Sequence, residues 1–346
     1  MAAKCPSLYY ERMDSSSNDK LKIAAFLQDG DRVLDVGAGS GSLAKLLLDT
    51  FPGLHVTALD PSETAIQRLR ELQCQYPARL EVVQAEFSEF QPSERFNAVV
   101  FCSSMHEIFS YTEVEEYGKK VRFQKSVIEL ALHHAAELLD EENGRIIVRD
   151  GIATSHNRKV LVTYKDPDLK KLAERYENEF EGFPLDIIHT PLGDIMPYNS
   201  MMEMLYTVTW GEQSFSREVQ EWYGYFSRPD WEEAGRQLSM SHGLFMVHFE
   251  KYLQDGYRLN LQDKVSLRSA PRLKWDGSVQ TKEIEFPASN CLVVFSKCIL
   301  RSDESGGTYE TGNLALGKQK RGKGMESVHF VGIHEAAHFN SVRHWR

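Results

Sequence analysis

The sequence is short of the features that would mark a secreted, membrane-spanning or thiol-dependent protein. Its five cysteines, Cys5, Cys74, Cys102, Cys291 and Cys298, are odd in number and contain no C-x-x-C pair. That argues against a disulfide framework and a paired-thiol zinc or redox motif, and points to a reducing compartment. The stretch MAAKCPSLYYERMDSSSNDK has no apolar signal core. No apolar run approaches the length needed to span a bilayer. A cytoplasmic location away from membranes is therefore expected. Base is also scarce: 40 Lys and Arg stand against 50 Asp and Glu, a formal net charge of −10. This opposes a broad nucleic-acid-binding face while leaving a local basic groove open.

What is present is concentrated in residues 31–60, DRVLDVGAGSGSLAKLLLDTFPGLHVTALD. An apolar strand, Val33 to Val36, enters a turn containing Gly37, Ala38, Gly39 and Gly41. A helix follows, then a second apolar strand, His55 to Leu59, that ends on Asp60. Glycine opens backbone angles closed to other residues and lets a ligand lie directly on the chain. Asp60, acceptor-only when ionised, suits the two hydroxyls of a ribose, and Asp35 can orient loop amides and face a cation. The dinucleotide pattern G-x-G-x-x-G needs a third glycine at position 42, where the chain has Ser42. The spacing G-x-G-x-G disfavours a nicotinamide-dependent oxidoreductase.

Further strands are expected at 80–84, 97–102 and 145–149, with helices at 61–73 and 121–140 between them. A helix is also expected to start near residue 19. Past Asp150 the alternation stops. Residues 152–241 are charged, then rich in methionine and aromatics, and read as an insertion with its own core. Most of Met201, Met202, Tyr206, Trp210, Tyr223 and Trp231 should pack, with a few walling a substrate pocket. Residues 242–261 read as a helix ending near Gly256 followed by a strand, and 291–300 as the last strand. From Arg301 the chain is rich in glycine and poor in large apolar residues, as a loose tail would be.

VLDVGAGSG at 33–41 and ALDPS at 58–62 resemble the first two motifs of the class I S-adenosylmethionine-dependent methyltransferases. LEVVQAEFSEF at 80–90 and RFNAVVFCSSMHEI at 95–108 resemble the third and fourth strands with their loops, Asn97 replacing the usual Asp. The resemblance implies an α/β, Rossmann-like fold with a seven-stranded, mostly parallel sheet of order 3-2-1-4-5-7-6. Helices flank that sheet, and a largely helical insertion precedes the last strands. The implied layout is a core of 20–151 and 242–300 with an insertion at 152–241; residues 1–19, with Tyr9, Tyr10 and Met13, read as a segment that either covers the active site or packs, and 301–346 as a tail. The implied cofactor is S-adenosyl-L-methionine. Its binding set would be Asp35, Gly37, Ala38, Gly39, Gly41, Asp60, Pro61, Glu86, Phe87 and Ser103. In the family the glycine loop passes the methionine part, the acid at Asp60 holds the ribose, Pro61 lies against adenine and Glu86 accepts from its amino group.

Methyl transfer requires alignment of an acceptor and removal of its proton. Candidates should sit at the carboxyl ends of the fourth and fifth strands. His106, a base near neutral pH, Glu107, which can orient it, and Asp150 are the catalytic set; Tyr111 is a weaker substrate contact. Each has a structural alternative in packing, capping or local pairing. The chain has no D/N-P-P-Y/F/W segment, as adenine-amino methyltransferases of nucleic acids have, and no Pro-Cys pair at the fourth strand, as cytosine-C5 enzymes have. A small-molecule acceptor accepting on O or N is expected, with RNA or protein acceptors and a non-catalytic binding partner as alternatives. His334-Glu335-Ala336-Ala337-His338 matches H-E-x-x-H, yet it stands eight residues from Arg346 after a glycine-rich stretch. It is read as coincidence, and no metal is expected.

Overall fold

The computed structural model describes residues 17–256 and 261–297. The 1–16 segment, the 301–346 tail and the HEAAH motif lie outside the described residues.

Helix α1 (Ser17–Ala24) leads into β1 (Arg32–Val36), α2 (Ser42–Thr50), β2 (His55–Leu59), α3 (Glu63–Gln73), β3 (Leu80–Val83) and β4 (Ala98–Cys102). Next come α4 (Met105–Tyr111), the hairpin of β5 (Val114–Glu116) and β6 (Lys119–Val121), α5 (Lys125–Glu137) and β7 (Arg145–Gly151). An added lobe follows with β8 (Lys159–Tyr164), α6 (Pro167–Glu179), β9 (Ile188–Thr190), β10 (Gly193–Pro197), α7 (Tyr198–Thr209) and α8 (Phe215–Glu218). The chain returns through α9 (Arg228–His242) and β11 (Leu244–Tyr252). It then adds β12 (Val265–Ser269) and the small hairpin of β13 (Arg272–Leu273) and β14 (Val279–Gln280), and closes with β15 (Asn290–Lys297).

The main sheet has seven strands in the order β11-β15-β7-β4-β1-β2-β3. β1 is parallel to β2 and β4, β2 to β3 and β4 to β7, while β15 runs antiparallel to both β7 and β11. This is the 3-2-1-4-5-7-6 order and the Rossmann-like fold that the sequence implies. Alternation along each strand sends side chains to two faces. Val33, Val56, Ala98, Val100 and Val294 pack under α1, α2 and α3, whereas Leu34, Val99, Phe101, Val148 and Phe295 pack under α4, α5 and α9. Asn97 ties the strand entrances together: its Oδ1 accepts from the Arg32 amide at 2.9 Å.

One local expectation is corrected. Residues 244–252 form the strand β11, and the helix lies before it, at Arg228–His242. Gly243, at φ 65°, ends that helix in the left-handed conformation, its amide donating to the Leu238 and Ser239 carbonyls. Trp231, Ala234 and Leu238 of α9 belong to the main core.

The second sheet has the order β12-β8-β10-β9. It packs with α6, α7 and α8 around Val160, Val162, Tyr176, Met201, Met204 and Phe215. The lobe therefore draws on two stretches of chain, one before α9 and one between β11 and β15. Met201, Met202, Tyr206 and Tyr223 are buried in it.

Candidate active site

The first half of the site is built from backbone. Gly37, Gly39 and Gly41 take φ values of 71°, 54° and 76° at the end of β1. The Gly37 and Ala38 amides both donate to the Leu59 carbonyl, at 2.8 and 3.1 Å, which fixes the turn to the end of β2. Asp60 stands beside it. Its Oδ2 accepts from the Gly39 amide and its Oδ1 from the Ser62 amide, each at 2.8 Å. Burial pushes the Asp60 carboxyl above its usual range, those two amides oppose the shift, and the charges of Glu107 and Glu86 add to it. Asp35 is 1% exposed, and its Oδ2 has no hydrogen-bond partner among the described residues. Burial pushes its carboxyl up to about 7, against the pull of the Lys20 ammonium. Lys20 itself donates to Ser42 Oγ.

Two glycines have packing duties as well. A Cβ on Gly37 would lie 2.6 Å from Ser104 Cβ, and one on Gly41 would lie 2.8 Å from Leu72 Cδ2 and 2.9 Å from Leu69 Cδ2. Ser104 is fixed in turn, its hydroxyl donating to the Val36 carbonyl at 2.6 Å. Ser103, in the left-handed region at φ 60°, accepts from Arg149 Nη1 at 2.7 Å. Pro61 and Glu86 are exposed near the turn. Phe87 is placed otherwise: its ring packs in the main core, edge-on to Phe101 at 5.2 Å. Only its backbone is left to meet a ligand.

The second half is built from side chains. His106, on the first turn of α4, is 3% exposed. The Asp150 carboxylate, near the end of β7, accepts from the His106 amide at 2.9 Å and lies 2.8 Å from Nδ1. Burial alone would favour the neutral ring, but Asp150, with Glu221 and Glu107 behind it, raises the imidazole to about 9. The surrounding carboxylates thus favour the protonated ring over the free base that its ordinary pKa suggests. His106, Glu107 and Asp150 do come together, as the sequence implies.

The lobe adds Tyr223, which the sequence offers as a pocket residue, and the acids and arginine that sequence reasoning missed. Tyr223 stacks on the His106 ring with centroids 4.3 Å apart. Glu221 Oε2 lies 3.8 Å from His106 Nε2 and accepts from the Tyr223 hydroxyl at 2.8 Å. Arg217 bridges Glu107 at 2.6 Å and Glu221 at 2.8 Å, and Tyr111 donates to Glu221 at 3.0 Å. Glu218 lies within hydrogen-bonding reach of the same Tyr223 hydroxyl and competes with Glu221 for its one proton. Glu203, buried in α7, accepts from the Tyr223 amide at 3.0 Å and from the Gly224 amide. Burial lifts its carboxyl to about 8, opposed by those two amides and by the His106 charge. The signal for this group was the presence of acids inside apolar stretches: Glu203 in MMEMLYTVT, and Glu218 and Glu221 beside WYGYF. His106, Glu107 and Glu221 offer donor atoms within 4.8 Å of one another, a spacing a metal could use. Arg217 already pairs with both carboxylates there.

Residues 33–122 match a family model described as a methyltransferase domain. Among curated proteins, the chain is similar to a tRNA1(Val) (adenine(37)-N6)-methyltransferase of Vibrio cholerae, 30% identical over 38% of this chain and 52% of that protein. It is also similar to a ribosomal RNA small subunit methyltransferase A of Rhodopseudomonas palustris, 35% identical over 23% of this chain and 28% of that protein. The chain thus spans about half the length, or less, of the curated relatives it matches. Among solved structures, it is similar to the plantazolicin methyltransferase BamL, 13% identical, covering 84% of this chain and 89% of that one, with a TM-score of 0.46. Strand order, glycine turn and family model coincide on the same residues: residues 33–122 match a methyltransferase domain set in a Rossmann-like fold.

Proposed function

We propose that this chain is an S-adenosylmethionine-dependent methyltransferase that acts on an oxygen or nitrogen atom. The observation that carries the proposal is Asp60, an acceptor-only group locked beside a three-glycine turn at the carboxyl end of the sheet. The donor set fits the cofactor. Asp60 suits the ribose diol, Gly37 to Gly41 allow close approach, and Asp35 brings a buried oxygen without a partner, suited to a cationic group. When bound, the cofactor supplies a methyl group already activated by its sulfonium.

The protein's own part is to position and deprotonate the acceptor. Asp150 holds Nδ1 of His106, which fixes the ring and leaves Nε2 as the proton-accepting atom on the side of Glu221. Because its carboxylate neighbours favour the protonated ring, His106 works as a base only after losing that proton. Turnover limited by this step rises with pH toward about 9. Glu107 contributes through Arg217, which keeps the lobe seated against α4.

The chain-wide charge favours a small acceptor. A second reading, an RNA acceptor, is favoured by the similarity to tRNA and ribosomal RNA methyltransferases. Titration calorimetry with S-adenosylmethionine tests the main reading. One site per chain is expected, and tighter binding of NAD would overturn it.

A further inference from the structure

Tyr223 stands between two buried acids. Its hydroxyl lies 2.8 Å from Glu221 Oε2 and within hydrogen-bonding reach of Glu218 Oε2, and both acids are 0% exposed. A phenol has one proton to give. Whichever acid receives it, the facing oxygen of the other meets the lone pairs of the same hydroxyl. A second proton placed there turns that repulsion into a hydrogen bond, so the group has room for one proton more than Tyr223 brings. Glu221 divides its two oxygens between two tasks. Oε1 accepts from Arg217 Nε at 2.8 Å and from the Tyr111 hydroxyl at 3.0 Å, whereas Oε2 faces Tyr223 and, at 3.8 Å, Nε2 of His106. The place for the extra proton therefore opens toward the ring. Tyr206, Tyr223 and His106 stack in that order, with centroids 4.8 and 4.3 Å apart, which fixes hydroxyl and imidazole relative to each other.

The other groups around the ring are engaged elsewhere. Asp150 holds Nδ1 at 2.8 Å with Tyr225 beside it, Glu107 pairs with Arg217, and Glu203 accepts from the Tyr223 and Gly224 amides. His106 is buried, so a proton that reaches Nε2 has little water to receive it. We propose that Glu218, Tyr223 and Glu221 form a proton store that clears Nε2 of His106 after each methyl transfer, with Tyr223 and Glu218 as positioning residues that act through Glu221. This rests on the reading of His106 as the base. The acceptor's bond to hydrogen breaks, the electron pair it leaves forms the bond to the methyl group, and the proton goes to the Nε2 lone pair. The Nε2–H bond then breaks and a bond from that proton to Glu221 Oε2 forms, once ring and carboxylate close their 3.8 Å separation by about 1 Å. The Tyr223 hydroxyl turns from Glu221 to Glu218 and accepts from the newly protonated Glu221. In the resting chain one proton has two places, the ring and the store, and the two titrate together.

The test reads the ring itself, without cofactor or acceptor, so its failure leaves the cofactor reading standing. The ring nitrogens of the full chain, isotope-labelled at histidine, are followed by NMR from about pH 5 to about pH 10, across the imidazole range. The chain has 12 histidines, and the His106 signals are those lost in His106→Ala. The parent ring should titrate in two steps, because the first proton is divided between ring and store. Glu218→Gln fills the vacant place with an amide hydrogen. Tyr223→Phe keeps the stacked ring and removes the bridging hydroxyl. Each variant should lose one step and titrate as a single group. Tyr111→Phe, which touches Glu221 through Oε1, should keep both steps. Melting temperatures near the parent's would show that each variant folds. A single step in the parent, merely moved to lower pH in Glu218→Gln, is what charge alone produces and would overturn the proposal. Two steps retained in both Glu218→Gln and Tyr223→Phe would overturn it as well.

Discussion

The two halves of the candidate site are made by different means. The cofactor half is continuous in sequence. Thirty residues supply the turn, its glycines and Asp60, and the key contacts are backbone amides at 2.8 Å. The acceptor half is assembled from distant segments: Glu107 on α4, Asp150 on β7, Glu203 on α7, and Arg217, Glu221 and Tyr223 around α8. It is held by a network of buried charges that satisfy one another. A backbone cradle tolerates change around it as long as its turn survives. A buried charge network does not, because removing one member strands the rest. The first half should therefore fail by loss of binding, and the second by loss of turnover or of lobe docking.

The largest effect is expected at Asp60. Asp60→Ala should cost about 3 kcal/mol of cofactor binding, from two hydrogen bonds to a charged group at about 1.5 kcal/mol each. Glu86, exposed and with no side-chain hydrogen bond among the described residues, should cost much less on replacement by Ala. Calorimetry on both variants sets the order, and equal small losses would mean that the second-strand acid does not grip the ribose.

On the acceptor side, His106→Ala should lower turnover about 100-fold, the lower end of general-base contributions. The parent's rate should climb with pH to a plateau near 9, and the variant should lack that limb. The same proton affects folding. Since the folded value lies above 6.5, its stabilisation is complete below about pH 6.5 and is lost as pH rises through about 9. A pH–rate profile flat from 6 to 10 would remove His106 as the base.

Gly37→Ala sharpens the comparison from the side of stability. Its Cβ would meet Ser104 Cβ at 2.6 Å, and the left-handed backbone adds strain. A loss of about 1–3 kcal/mol is expected in denaturant unfolding, so weakened cofactor binding in this variant reports a displaced β4 loop as well as a blocked ligand. An unfolding midpoint equal to the parent's would show that the loop yields without cost.

The smallest effect is expected at Asp35. Burial holds its carboxyl near 7, so its ionisation opposes folding increasingly from about pH 3.8 and fully above 7. Asp35→Asn should therefore raise the melting temperature at pH 8 by about 2–4 °C and leave it unchanged below pH 4, while weakening the cofactor. A lower melting temperature at pH 8 would show that the Lys20 charge outweighs burial.

This contrast also explains how much could be read from the sequence. The glycine turn, Asp60 and the first strands were legible because their signals are local: a glycine spacing, an acid after an apolar run, alternation of strand and helix; the strand order came from the family resemblance those motifs carry. His106 and Asp150 were legible as positions after the fourth and fifth strands, but not the charge state of the pair, which depends on burial. Tyr223 was legible as one of several aromatic residues that could wall a pocket, whereas Glu203 and Glu221 stood out only as acids in apolar stretches, with nothing near them in sequence to say which surface they meet. The strand at 244–252 was missed because its aromatic and basic residues also suit a helix, and only the left-handed Gly243 stops α9 before it.

The most direct test of the two-part account is a calorimetric titration of the demethylated cofactor, S-adenosylhomocysteine, into the parent, Asp60→Ala and His106→Ala. The account expects one site per chain in the parent, binding weakened roughly 100-fold in Asp60→Ala, and affinity within about twofold of the parent in His106→Ala. Equal loss in both variants, or full affinity in Asp60→Ala, would contradict the division of the site into a cofactor half and an acceptor half.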